Sequence, residues 1–159
     1  MQILAILNTR DIKKIREALI QQFGFFFKDD YAYLKNDKYR VFIINKDISQ
    51  LELKNLIIDK TGLYFGEIMK NGEFRLSKEG AQLLVHKAQE LKEKLHNTIE
   101  LNQNQVKEYF QGFDLPYNFG AENKQVLLFY EKNVLGCARY KEGKILNFLP
   151  KIHRGEVII

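Results

Sequence analysis

Eight residues near the C-terminal end carry side chains suited to holding a polyanion: Arg139, Tyr140, Lys141, Lys144, Asn147, Lys151, His153 and Arg154. Lysine and arginine neutralise phosphates and release counterions, which gives affinity that weakens steeply with salt. Tyr140 and Phe148 offer rings for stacking on unpaired bases, and Asn147 an amide for base-edge hydrogen bonds. The chemistry this set suggests is recognition of RNA and not bond-making.

The charge is unevenly placed around these residues. Residues 97–133 hold three Lys or Arg against five Asp or Glu, whereas residues 134–159 hold five against two. One edge of a nearly neutral unit is therefore basic. A second reading stands beside this one on the residues alone: a solvated turn with packed aromatics, in which Phe148 belongs to the core and is not a stacking platform.

Other chemistries find no support. There is no phosphate loop of the form G-x-x-x-x-G-K-S/T, no G-x-G-x-x-G and no G-x-S-x-G. His86, His96 and His153 stand far apart, without metal-ligand spacing. Cys137 is the one cysteine; between Gly136 and Ala138 in a strand pattern, it reads as a small packed residue. One cysteine also rules out an internal disulfide framework. No metal, no cofactor and no catalytic residue is expected.

The elements that must position the basic residues are short. Val126 to Tyr130, Val134 to Tyr140 and Lys144 to Phe148 read as strands, with turns at Lys132-Asn133 and Glu142-Gly143. Alternation puts Leu135, Cys137 and Arg139 on one side, and Val134, Gly136, Ala138 and Tyr140 on the other. Upstream, residues 97–101 form a strand. Asn102 then caps a helix through Val106, Tyr109 and Phe110, closed by Gly112. Val157 to Ile159 is a candidate closing strand. A strand, a helix and four or more short strands suffice for a small barrel, which removes most unpaired edges.

The first half is mixed. Ile3 to Leu7 is a strand, and Asn8 or Thr9 caps a helix with Ile12, Ile15, Leu19 and Phe23 on one face and Gly24 at its end. Strands follow at Phe25 to Lys28, Tyr31 to Lys35 and Tyr39 to Ile44. A short helix is expected from Asp47 or Ser49, and another strand at Leu56 to Lys60. Tyr64 to Met69 and Glu73 to Leu76 flank Asn71-Gly72, the preferred pair for a type I′ turn. Ser77 caps a helix running to about Leu95, with Ala81, Leu84, Ala88, Leu91 and Leu95 as its apolar stripe. Gly80, in the first turn, marks a close backbone approach.

With 159 residues, 45% of them apolar and 20 Phe and Tyr, the chain has the material for one domain or two small ones. We place a boundary near residue 96, with no Pro, Gly or Ser linker, so that the halves pack on each other. A net charge of +5 favours anionic partners without naming one. No apolar run approaches a membrane span, and the N-terminus lacks signal-peptide features. A soluble, cytoplasmic protein with no membrane partner is expected.

The tail LGCARYKEGKILNFLPKIHR resembles the end of the PUA-like module of Fmu-type (NOL/NOP/Sun) ribosomal RNA cytosine-5 methyltransferases, and more closely its stand-alone archaeal-type relatives. Leu135, Gly136, Gly143, Asn147, Pro150, Lys151 and Arg154 carry the match. Ala138 departs from a common glycine, and the last basic residue is displaced, with His153 beside Arg154. GLYFGEIMKNGEFRLSKEGAQLL is similar to a segment of Nip-type ribosome biogenesis factors, through Phe65, Gly66, Phe74, Arg75 and Leu76. The resemblance covers about residues 62–154. It implies an α+β protein: an N-terminal α/β domain (1–95) followed by a small PUA-like β pseudo-barrel (96–159). It also implies binding of structured rRNA or tRNA in ribosome biogenesis, rRNA processing or RNA modification, without a methyltransferase domain. Ribosome-assembly proteins or a separate RNA methyltransferase would be its partners. The alternatives are an adaptor docking proteins through Phe25-Phe26-Phe27 and Tyr31/Tyr33, and an enzyme acting on RNA bases in a deep polar pocket of the barrel.

Overall fold

The computed structural model describes residues 4–45, 62–149 and 155. The expected helix after Asp47, the strand at Leu56 to Lys60 and the closing strand at Val157 to Ile159 fall outside the described residues. Within them the chain is α+β, with three helices and ten strands in two sheets.

The first sheet is an antiparallel meander in chain order: β1 (Ala5–Ile6), β2 (Tyr31–Lys35), β3 (Arg40–Asn45), β4 (Leu63–Ile68) and β5 (Phe74–Leu76). Helix α1 (Thr9–Phe23) starts at Asn8, whose side chain accepts from the Asp11 N–H at 2.9 Å. It stops at Gly24, whose φ of +79° is the left-handed cap a glycine adopts without strain. Helix α2 (Lys78–Glu90) starts at Ser77, which accepts from the Gly80 N–H at 2.8 Å. It ends earlier than the apolar stripe suggests: Lys92 has positive φ, and Leu91 lies exposed.

Two further expectations change. Phe25 to Lys28 is not a strand. Its three phenylalanines are all buried in the core cluster of the first half, with Phe26 and Phe27 stacked at 4.5 Å. The β4–β5 hairpin is present, but its turn is not type I′. Gly72 has φ +87° while Asn71 does not turn positive, and the Gly72 N–H donates to Met69 O. This is a three-residue loop with glycine at the left-handed position.

The second sheet has the order β6-β8-β9-β10-β7, from β6 (Thr98–Glu100), β7 (Leu115–Pro116), β8 (Lys124–Tyr130), β9 (Asn133–Lys141) and β10 (Lys144–Leu146). β6 and β8 pair in parallel; the rest are antiparallel. Helix α3 (Gln103–Phe110) opens with a reciprocal capping box between Asn102 and Gln105. Ile99 of β6 and Leu115 of β7 share one apolar cluster with Val106 and Tyr109 of α3, so the two edges curl toward each other around the helix. The β8–β9 turn is Glu131-Lys132, one residue before the expected position, both with positive φ.

The other face of this sheet belongs to the first half. Leu127 of β8 and Cys137 of β9 join the cluster built by α1, α2 and the first sheet, with Phe129 and Val134 packed against it. The alternation breaks at a bulge: Leu128 pairs with Gly136 and Phe129 with Val134, leaving Leu135 as the extra residue. Leu135 therefore packs with the α3 core, on the side opposite Cys137. At the junction, the His96 N–H donates to Phe23 O, and Asn97 joins α1 to β8 through Gln22 O and the Leu127 N–H.

Candidate nucleic-acid interface

The β9–β10 hairpin is the best-formed part of the expected basic edge. Glu142 and Gly143 have φ +48° and +78°, the signs a type I′ turn requires, and Lys141 faces Lys144 across it. Both lysines are exposed. The tip is braced from the side: the Tyr117 N–H donates to Gly143 O at 3.0 Å, and the Glu142 N–H to Asn123 Oδ1 at 3.2 Å. Like charges face each other here because both ammonium groups reach water, where their repulsion is small.

Lys124 joins this end of the sheet. It pairs with Tyr140 in the β8–β9 register, and its Nζ lies 4.7 Å from the Phe119 ring centroid. It was missed in the sequence because it sits in the stretch of net negative charge. Only strand pairing brings it beside the hairpin.

Three expected contact residues are committed elsewhere. Tyr140 is 1% exposed, and its hydroxyl donates to Gly120 O at 2.7 Å, so its ring is core and offers no face for stacking. Past the bulge the side chains of Ala138 and Tyr140 both join the cluster around α3, which is why Tyr140 goes inward. Asn147 is a clamp. Its Nδ2 donates to Tyr109 O at 2.6 Å and Phe113 O at 3.0 Å, and its Oδ1 accepts from the Leu149 N–H at 2.9 Å. Its own N–H donates to Asp114 Oδ1. An amide used this way ties the chain leaving β10 to the end of α3 and is not presented to a base edge. Arg139 is ion-paired with Glu73 of the β4–β5 loop, both side chains about three-quarters buried. Glu73 also accepts from Gln125 at 2.9 Å. Arg139 thus fastens the second sheet to the first, and a phosphate would have to displace a carboxylate to reach it.

Lys151, His153 and Arg154 lie outside the described residues. The chain is held on both sides of them: Leu149 is buried, and the Gly155 N–H donates to Phe110 O at 2.7 Å.

Phe148 reverses its expectation in the other direction. It is 41% exposed, with the Arg75 guanidinium over its ring at 5.0 Å.

The aromatic surface that motivated an adaptor is mostly interior: Phe25, Phe26, Phe27 and Tyr33 are buried, and Tyr31 is half-buried. Cys137 is enclosed, and burial pushes its thiol up to about 12, which keeps it protonated at neutral pH. A polar cleft of about 540 Å³ lies between the halves. Its amides act as struts; Gln22, for instance, holds both the N–H and the carbonyl of Phe74 at 2.8 Å. Its acids are Glu73, already paired, and Glu122. Among the described residues, no group of three or more His, Cys, Asp or Glu could hold a metal ion. No helix among them is long and apolar enough to cross a membrane.

A small sheet curled over one helix, with a basic hairpin at its end, is the architecture of a PUA-like module. Residues 96–154 match the family described as the methyltransferase RsmF PUA domain. Over 93 residues the chain is 32% identical to the ribosomal RNA small subunit methyltransferase F of Shewanella woodyi. The match covers 58% of this chain and 18% of that protein, so the chain spans under a fifth of its relative's length. Residues 96–159 number only 64, so a similarity of 93 residues reaches back across the junction into the first half.

Proposed function

We propose that the protein binds structured RNA, ribosomal or transfer, through its PUA domain, and does so in ribosome biogenesis or RNA modification in the cytoplasm. It performs no catalysis of its own and presents RNA to a separate RNA methyltransferase or to assembly proteins. The observation that carries this reading is the match of residues 96–154 to a PUA domain named for a ribosomal RNA methyltransferase. The division into an N-terminal unit of residues 1–95 and an RNA-binding unit of residues 96–159 belongs to the same proposal. Lys141 and Lys144 contact phosphates, with Lys124 beside them and Lys151, His153 and Arg154 completing the edge. Two exposed lysines on a rigid turn suit this role because a fixed backbone lowers the ordering cost of each contact.

The test is a salt series of binding to structured rRNA fragments, read by fluorescence anisotropy. Each phosphate contact contributes about 0.9 to the log–log salt slope on a duplex. Lys141→Ala/Lys144→Ala is expected to flatten the slope by about 1 to 2. A wild-type protein that binds no structured RNA at low salt would overturn the reading.

A further inference from the structure

We propose that Phe148, backed by Arg75, is a stacking platform for one unpaired nucleobase. This deepens the RNA-binding reading and rests on it. The platform is assembled across the two sheets. Arg75 comes from β5, and its Nη2 is held 2.7 Å from Glu67 Oε2 on β4. Its guanidinium lies over the Phe148 ring, 5.0 Å from the centroid, and Phe148 is 41% exposed. A phenyl with a cation on one face and water around the remainder is an incomplete stack, and the flat face of a base completes it.

Two features favour a base as the occupant. The ring is projected from a fixed backbone, since Asn147 is clamped by hydrogen bonds to Tyr109 and Phe113 and Leu149 is buried. Little freedom remains to be lost on stacking. The ring also stands between cations along the chain, with Lys144 four residues before it and Lys151 three after it, within a stretch carrying five Lys or Arg against two acids. A ribose-phosphate strand held at the hairpin would continue past Phe148. Phe113, whose carbonyl receives the Asn147 amide, is 59% exposed at the same exit, which leaves the approach open. The similarity reaching into the first half fits a site that needs Arg75 as well as the PUA domain.

The chain has no tryptophan, so Phe148→Trp supplies a single reporter. Two RNAs are compared with the full-length protein: a hairpin with an unpaired purine-containing loop, and a perfect duplex of equal length. Phe148→Leu keeps an apolar side chain of similar bulk but removes the aromatic face. It is expected to weaken loop binding roughly tenfold, leave duplex binding unchanged, and keep the wild-type unfolding midpoint. Phe148→Trp is expected to retain loop affinity, its emission quenched by the hairpin and not by the duplex. If Phe148→Leu binds the loop as wild type does, or the Trp emission does not respond, the platform is wrong. If Lys141→Ala/Lys144→Ala weakens binding in the same assay while the Phe148 variants do not, the platform alone fails. If the wild type binds neither RNA, the RNA-binding reading fails with it. Quenching by an added protein but by neither RNA would identify a protein-docking ring and overturn the proposal.

Discussion

Asn147 shows how a side chain can match a motif for a reason the motif does not state. Its position among Gly143, Pro150, Lys151 and Arg154 suggested a contact with bases. In the fold, both ends of its amide are spent on the backbone of α3, the following loop and Leu149. Removing it deletes three hydrogen bonds at a partly buried site. Asn147→Ala is expected to lower stability by about 1–2 kcal/mol in a urea titration. RNA affinity, measured well below the new midpoint, is expected to fall only if the exit of β10 shifts. A selective loss of affinity at unchanged stability would restore Asn147 to the interface. Arg139 and Tyr140 follow the same logic. An arginine near a strand end could as well reach solvent, and only the arrival of Glu73 from another sheet decides otherwise.

At the scale of elements, local chemistry was mostly readable. Asn8, Ser77 and Asn102 cap their helices as side chains with an acceptor three residues upstream of an orphan N–H should. The Glu142-Gly143 turn is in place. Turn register was harder, because a type I′ turn and a glycine-bulge loop accept the same Asn-Gly pair and differ in where pairing resumes. The break in alternation at Leu135 was not legible, since Gly136 reads equally as strand or bulge. Gly80 was legible and is now explained: a Cβ there would lie 2.0 Å from Phe65 O, where α2 crosses β4. In an exposed helix, glycine to alanine would gain about 1 kcal/mol. Here the contact is with backbone and must be relieved by moving the helix, so the sign reverses. Gly80→Ala is expected to destabilise by about 2 kcal/mol or more, seen as a lower denaturation midpoint. An unchanged or raised midpoint would mean that α2 sits farther from β4.

For the whole molecule, the second sheet is a shared wall. Its inner face closes over α3, while Leu127 and Cys137 on its other face complete the core of the first half. The Glu73–Arg139 pair and the Asn97 bonds cross the same boundary. A fragment of residues 96–159 would present that apolar face to water and leave Arg139 without its acid. Such a fragment is expected to melt at a much lower temperature than the full chain, or to aggregate, whereas the full chain unfolds in one transition. A fragment with the full chain's midpoint would show that the two units fold independently and that the shared wall contributes little.

The sequence by itself determined the elements that depend on neighbours three or four residues away: the caps, the amphipathic helices, the strand runs and the basic bias after residue 134. It also carried the family resemblance, because that depends on residue identity alone. Only the tertiary structure decided which cations stay free. Lys141 and Lys144 project from a turn, but Arg139 meets a carboxylate 66 residues earlier in the chain, and Lys124 reaches the hairpin through strand pairing. Tyr140 went inward and Phe148 outward for the same reason. An aromatic's exposure is set by what packs over it, and what packs over these two comes from distant parts of the chain.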